Sequence, residues 1–161
     1  MIVELPSGEV FAGPWTDDPS IGNDVVAYRR LRSDWVERLV EGYRVKSAAF
    51  QPHRESSSIS VTLADVAEQL GLAPRDVALG EFVGEYGLAT FLVGDARSTG
   101  LHVRRVPLSV DSGHAMLFAA HPETGECPNS RHCRRLGKVL ASMASVDLAP
   151  PEIERTEGVP G

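Results

Sequence analysis

"LATFLVGDARSTGLHVRRVPLSVDSGHAMLFAA" (88–120) packs three apolar runs into one short span, and the way it is divided decides the fold class. LATFLV (88–93), LHVRRVPL (101–108) and HAMLFAA (114–120) are rich in β-branched and aromatic residues and separated by Gly-, Ser- and Asp-containing breaks, so each reads as a strand. HAMLFAA is apolar enough to lie inside a sheet. Upstream, DVVAYRRL (24–31), RVKSAAF (44–50) and SISVTL (58–63) read as further strands, and MIVELPSGEVFAGPW (1–15) reads as a hairpin turning at Pro6–Gly8. Gly13 to Asn23 is Pro-, Gly- and Asp-rich and reads as a loop with too little apolar surface to order itself.

Helices are expected in three places. Asp34 and Glu37 make a capping-box pattern ahead of Trp35, Val36, Leu39, Val40 and Tyr43 at helical spacing, with Gly42 as the stop. A second runs from Leu63 to Leu70, capped by Thr62 and ended by Gly71. The last, from about Ser130 to Ala144 with Asn129 or Ser130 as cap, presents a stripe of Cys133, Leu136, Val139, Leu140 and Met143. Strands at both ends of a helical middle predict an α+β fold with a mixed or antiparallel sheet and two to four helices. The expected organisation is one domain over 1–148, with 1–24 forming an N-terminal hairpin and loop, and a disordered tail over 149–161, where two prolines stand among charges.

The chain of 161 residues carries a net charge of −6, and the charge comes in blocks. Residues 29–46 are net +3 and 97–138 net +4, whereas 1–24, 55–95 and the last fifteen are acidic. Two basic blocks in an acidic chain suggest one patch formed by Arg29, Arg30, Arg104, Arg105, Arg134 and Arg135, with the last four as ligand-binding residues. Two cysteines and no basic, apolar leader point to a reducing, cytoplasmic setting, and no apolar run approaches the roughly 20 residues of a membrane-spanning helix.

HPETGECPNSRHC (121–133) gathers both cysteines and two histidines. His121, Cys127, His132 and Cys133 are zinc-type ligands, but their spacing does not suit a tetrahedron, and no metal or other cofactor is expected. Cys133 near a helix start beside Arg134 and Arg135 has the surroundings that activate a thiolate, while its place on the apolar stripe makes it a buried, inert thiol. His114, preceded by Asp111, is a candidate acid–base residue with no nucleophile in its neighbourhood.

Two short resemblances add alternatives. TLADVAEQLGLAPRDVALGEF (62–82) resembles the helix-turn-helix signature, with Ala67, Gly71, Leu72 and Val77 at its small, turn and apolar positions. That resemblance would make Pro74 to Phe82 a DNA-recognition helix, but the segment lies in the acidic block, which disfavours phosphate binding. AYRRL (27–31) and SSSIS (56–60) resemble the NAD-gripping strands of ADP-ribosyltransferases, which would give Arg29 or Arg30 with Ser58 and Ser60 a nicotinamide pocket, completed by a glutamate on a later strand. The leading expectation is a small binding or accessory module, engaging another protein or an anionic ligand, rather than an enzyme.

Overall fold

The computed structural model describes residues 2–5, 7–151 and 153. Among the described residues, fourteen regular elements and three short 3-10 turns follow one another. β1 (Val3–Glu4) and β2 (Val10–Phe11) form the expected N-terminal hairpin. β3 (Val26–Leu31) precedes β4 (Val36–Arg38) and β5 (Tyr43–Val45), and then β6 (Ile59–Leu63), α1 (Ala64–Gln69) and α2 (Pro74–Leu79). β7 (Gly87–Leu92), α3 (Val93–Thr99), β8 (His102–Arg105), β9 (His114–Phe118), α4 (Ser130–Met143) and β10 (Ser145–Leu148) follow.

Six strands form one sheet in the order β10-β7-β3-β6-β9-β8, and every neighbouring pair is antiparallel. The fold is α+β, with four α-helices among the described residues. β9 is an interior strand, buried at all five positions. Alternation along the strands gives the sheet two differently covered faces. Ala27, Leu31, Ile59, Val61, Phe91, Val103 and Leu117 point into the main core beneath α3 and α4. On the other face Met116 and Phe118 lie under the N-terminal hairpin and Trp15, while Leu88 and Tyr28 lie under α2. α2 reaches over β7, β3 and β6 and the hairpin covers β9, and between them a small opening remains.

Several local expectations are corrected. Residues 34–43 are not a helix: after a 3-10 turn at Ser33–Trp35 the chain forms the β4–β5 hairpin, with Val36 opposite Val45 and both buried. Gly42, at φ +84°, turns the strands back on each other, and the N–H of Leu39 donates to its carbonyl. Asp34 and Glu37, read as a capping pair, instead bind Arg32 and, across the hairpin, Arg44. The strand expected over 44–50 ends at Val45 and gives way to a 3-10 turn at Ser47–Phe50 that seats Phe50 in the core.

Second, Thr62 does not cap α1, because its hydroxyl donates to Asp111. Third, the loop from Gly13 to Asn23 is held by distant guanidinium groups. Arg97 donates to the carbonyls of Asp18 and Ile21 at 2.7 and 2.6 Å and to Asn23 at 2.7 Å, and Ile21 is buried in the core.

In the stretch expected as a tail, Pro150 is buried and Ile153 packs against the main core. Glu152 and residues 154–161 lie outside the described residues. α4 begins as expected, with the Asn129 side chain accepting from the N–H of His132 at 2.9 Å, but its buried face is Cys133, Gly137, Leu140 and Ala141. Val139 and Met143 from the expected stripe are 49% and 40% exposed.

Candidate binding cleft

Beside α2, the second sheet face holds a small cleft, lined by Tyr28 and Arg30 of β3, Ser60 and Thr62 of β6, His114 of β9, Ala78 of α2 and Asp111 of the β8–β9 connection. Strand register explains the convergence. Thr62 stands opposite both Tyr28 and His114, so residues separated by dozens of positions in sequence become lateral neighbours. Its volume is about 20 Å3, room for about one ordered water.

Arg30 supplies the charge. Its guanidinium lies 4.5 Å from the centroid of the Phe82 ring, an arrangement that orients the planar group without using its N–H donors. The side chain is exposed, and no described carboxylate pairs with it.

His114 supplies an acceptor. Its Nδ1 lies 2.8 Å from the Val106 carbonyl, a group that only accepts, so Nδ1 carries a proton and Nε2 is left as the acceptor of the neutral ring. Burial holds the ring below the usual histidine pKa, against the opposing pull of the Val106 carbonyl and Asp111. Asp111 does not orient the ring by a hydrogen bond. Its carboxylate accepts from the Thr62 hydroxyl and, at 3.0 Å, from the N–H of Gly113. Burial raises the Tyr28 pKa, which keeps its hydroxyl a neutral donor at physiological pH.

Of the residues singled out in the sequence, Arg30, Ser60 and His114 meet in this cleft. Arg29 borders it, but its guanidinium turns to the main core, donating to the carbonyls of Ala49 at 3.0 Å and Ser60 at 2.9 Å beside Trp35. Burial and the neighbouring Arg30 charge lower its pKa to about 10, which still leaves it a cation at neutral pH. Ser58 is buried and donates to Ser56 at 2.9 Å. Among the described residues no glutamate lines the cleft.

The six arginines do not form one patch. Arg104 is spent on Thr16, donating to its carbonyl at 2.7 Å, and Arg105 is paired with Asp65. Arg134 and Arg135 project from α4, on the opposite side of the sheet from the cleft.

The remaining candidates have local roles. His121 Nδ1 accepts from the N–H groups of Glu123 and Thr124, closing a turn. Cys127 and Cys133 are free thiols, and burial pushes Cys133 up to about 12, opposite to what a nucleophilic thiolate needs. Among the described residues no three His, Cys, Asp or Glu side chains stand close enough to share a metal, so His121, Cys127, His132 and Cys133 do not make one set. α1 and α2 pack on the sheet after a strand, and Arg75 of α2 is paired with Asp147 of β10 at 2.7 Å. No described helix is long and apolar enough to cross a membrane.

Tyr28, Thr62 and Phe82 escaped the sequence reading, because each gains its role only through register or through the α2 cover. A polar residue at alternate positions of otherwise apolar strands, as in Ser60 and Thr62 of SISVTL, was the one available signal. Compared with models of protein families, with curated proteins and with solved structures, the chain matches none.

Proposed function

We propose that the chain is a binding module whose cleft seats the anionic end of a ligand or of a partner protein, with Arg30 as the anchor. The observation that carries this reading is an exposed guanidinium, set over the Phe82 ring and unpaired with any described carboxylate, beside polar groups of the sheet. Because Nε2 of neutral His114 accepts, the preferred group is an anion with a hydrogen-bond donor beside it, as in a peptide carboxylate and its N–H. The cleft holds only the end of a ligand, and no described glutamate lines it, so it does not favour an NAD-using transferase. The paired Arg75 and the acidic surroundings of α2 likewise do not favour DNA binding. Two unbridged thiols support a reducing, cytoplasmic setting.

The test is an NMR titration with acetate, inorganic phosphate and N-acetylglycine, following the Arg30 side-chain N–H and the His114 ring. N-acetylglycine should give saturable shifts at lower concentration than acetate, and Arg30→Gln should abolish them. Shifts that fail to saturate, or that persist in Arg30→Gln, would refute the assignment.

A further inference from the structure

α4 breaks the usual charge rule of helices. Bases near a helix N-terminus oppose its dipole, and like charges three or four residues apart repel. Yet Arg131, Arg134, Arg135 and Lys138 occupy the first two-thirds of α4, at just those spacings, and the helix contains no acid. At about 100° per residue the four fall within one arc of roughly 100°. All four are exposed, and none makes an ion pair or hydrogen bond with a described residue. The chain's net charge of −6 is therefore the balance of +4 on this helix and −10 elsewhere. Along one edge of the basic arc lie Val139 and Met143, 49% and 40% exposed.

We infer that this face of α4 is a docking surface for an acidic, amphipathic helical segment of a partner protein. The inference does not rest on the cleft, which lies across the sheet. Charge complementarity selects an anionic partner, and three features select a peptide over a nucleic acid or a lipid surface. The stripe spans only about 10 Å from Arg131 to Lys138, at 1.5 Å per residue, so a long polyanion would reach beyond it, in a chain that is net −10 outside this helix. The apolar edge at Val139 and Met143 matches apolar residues beside the carboxylates of an amphipathic helix, and contributes nothing to phosphate contacts. Meanwhile the helix's own apolar face, with Cys133, Gly137, Leu140 and Ala141, is already buried, so it is not free to sink into a bilayer.

The probe is a fluorescent fourteen-residue helical peptide with Glu at i and i+4 along one face and Leu beside it. Fluorescence anisotropy would be read at two salt concentrations, with a DNA duplex and phosphatidylserine vesicles as competing probes. The peptide should bind more tightly than either, and Arg134→Gln with Arg135→Gln should weaken it about tenfold or more, while Arg32→Gln leaves it unchanged. Free of ligand, the double variant should unfold at the same or a higher temperature, since repulsion within α4 is relieved. Tighter binding of the duplex or the vesicles, unchanged peptide affinity in the double variant, or a fall of several degrees in its melting temperature would each overturn the inference.

Discussion

Replacing Gly137 by alanine tests how closely α4 lies on the core. On a helix surface this change stabilises by about 1 kcal/mol, because glycine has the greater backbone freedom to lose. At position 137 the added Cβ would overlap the carbonyl oxygen of Phe50 outright, and would stand 3.2 Å from that carbonyl carbon and 3.4 Å from Cδ1 of Ile59. The obstacle is backbone in the Ser47–Phe50 turn, anchored by the buried Phe50 ring and by Arg29 on the Ala49 carbonyl. It cannot rotate aside as a side chain would. α4 must lift, and Cys133, Leu140 and Ala141 lose contact together. Overpacking of this kind costs about 1–3 kcal/mol or more, and the propensity gain offsets only part of it. The net loss is expected to be about 2 kcal/mol, a fall of roughly 4–8 °C in Tm for a chain of this size. Calorimetry, with urea denaturation at matched pH, reads it directly. Ser142→Ala on the exposed side of α4 serves as a control and should change little. Because the clash is with backbone, Ile59→Ala should not rescue Gly137→Ala. A variant as stable as the parent, or rescue by Ile59→Ala, would refute this close approach.

Two further outcomes follow from burial and docking. His114 is held below its usual pKa, so the unfolded chain binds more protons as pH falls through about 6.5, and stability present above that pH should be lost toward the lower folded-state value. Urea midpoints between pH 7.5 and 5 should show this decline, and His114→Gln should flatten it; an unchanged slope would show that other groups carry the effect. Ending the chain at Leu148 removes buried Pro150 and the Ile153 contact, worth about 1–2 kcal/mol together, so Tm should fall by roughly 2–8 °C rather than stay constant.

The strands of the main sheet were legible where alternation and turn chemistry agreed, as in VAYRRL, SISVTL and HAMLFAA. The β4–β5 hairpin was not, since Trp35, Val36, Leu39, Val40 and Tyr43 satisfy helical spacing by accident. β-branched Val36 and Val45 facing inward, with Glu37 opposite Arg44, carried the strand signal in a pattern visible only once Gly42 is taken as the turn. α3 is seven residues long and continues directly from β7, so LATFLV merged strand end and helix start. Asp95, which accepts from the N–H of Leu92, and Gly100 at φ +105° were the marks of its ends. For α4 the error lay in counting only large apolar residues. Gly137 and Ala141 face the core because small side chains permit close approach, and this turns Val139 and Met143 outward.

The arginines explain why site residues were the hardest part to read. Composition treats Arg29, Arg30, Arg97, Arg104 and Arg105 as interchangeable charges, but the fold spends them differently. Arg97 and Arg104 tie down a loop, Arg105 neutralises Asp65, and Arg29 braces the turn before β6 through two carbonyls. Each binds groups far away in sequence, and only register and packing reveal those partners. Arg30 differs from Arg29 by a single position, which on a strand is a change of face. One side of β3 makes an arginine a structural brace, while the other leaves it over Phe82 at the mouth of the cleft. The proposed binding in this fold therefore depends on the parity of β3: a one-residue slip would bury the charge proposed as the anchor and expose the one that the core requires.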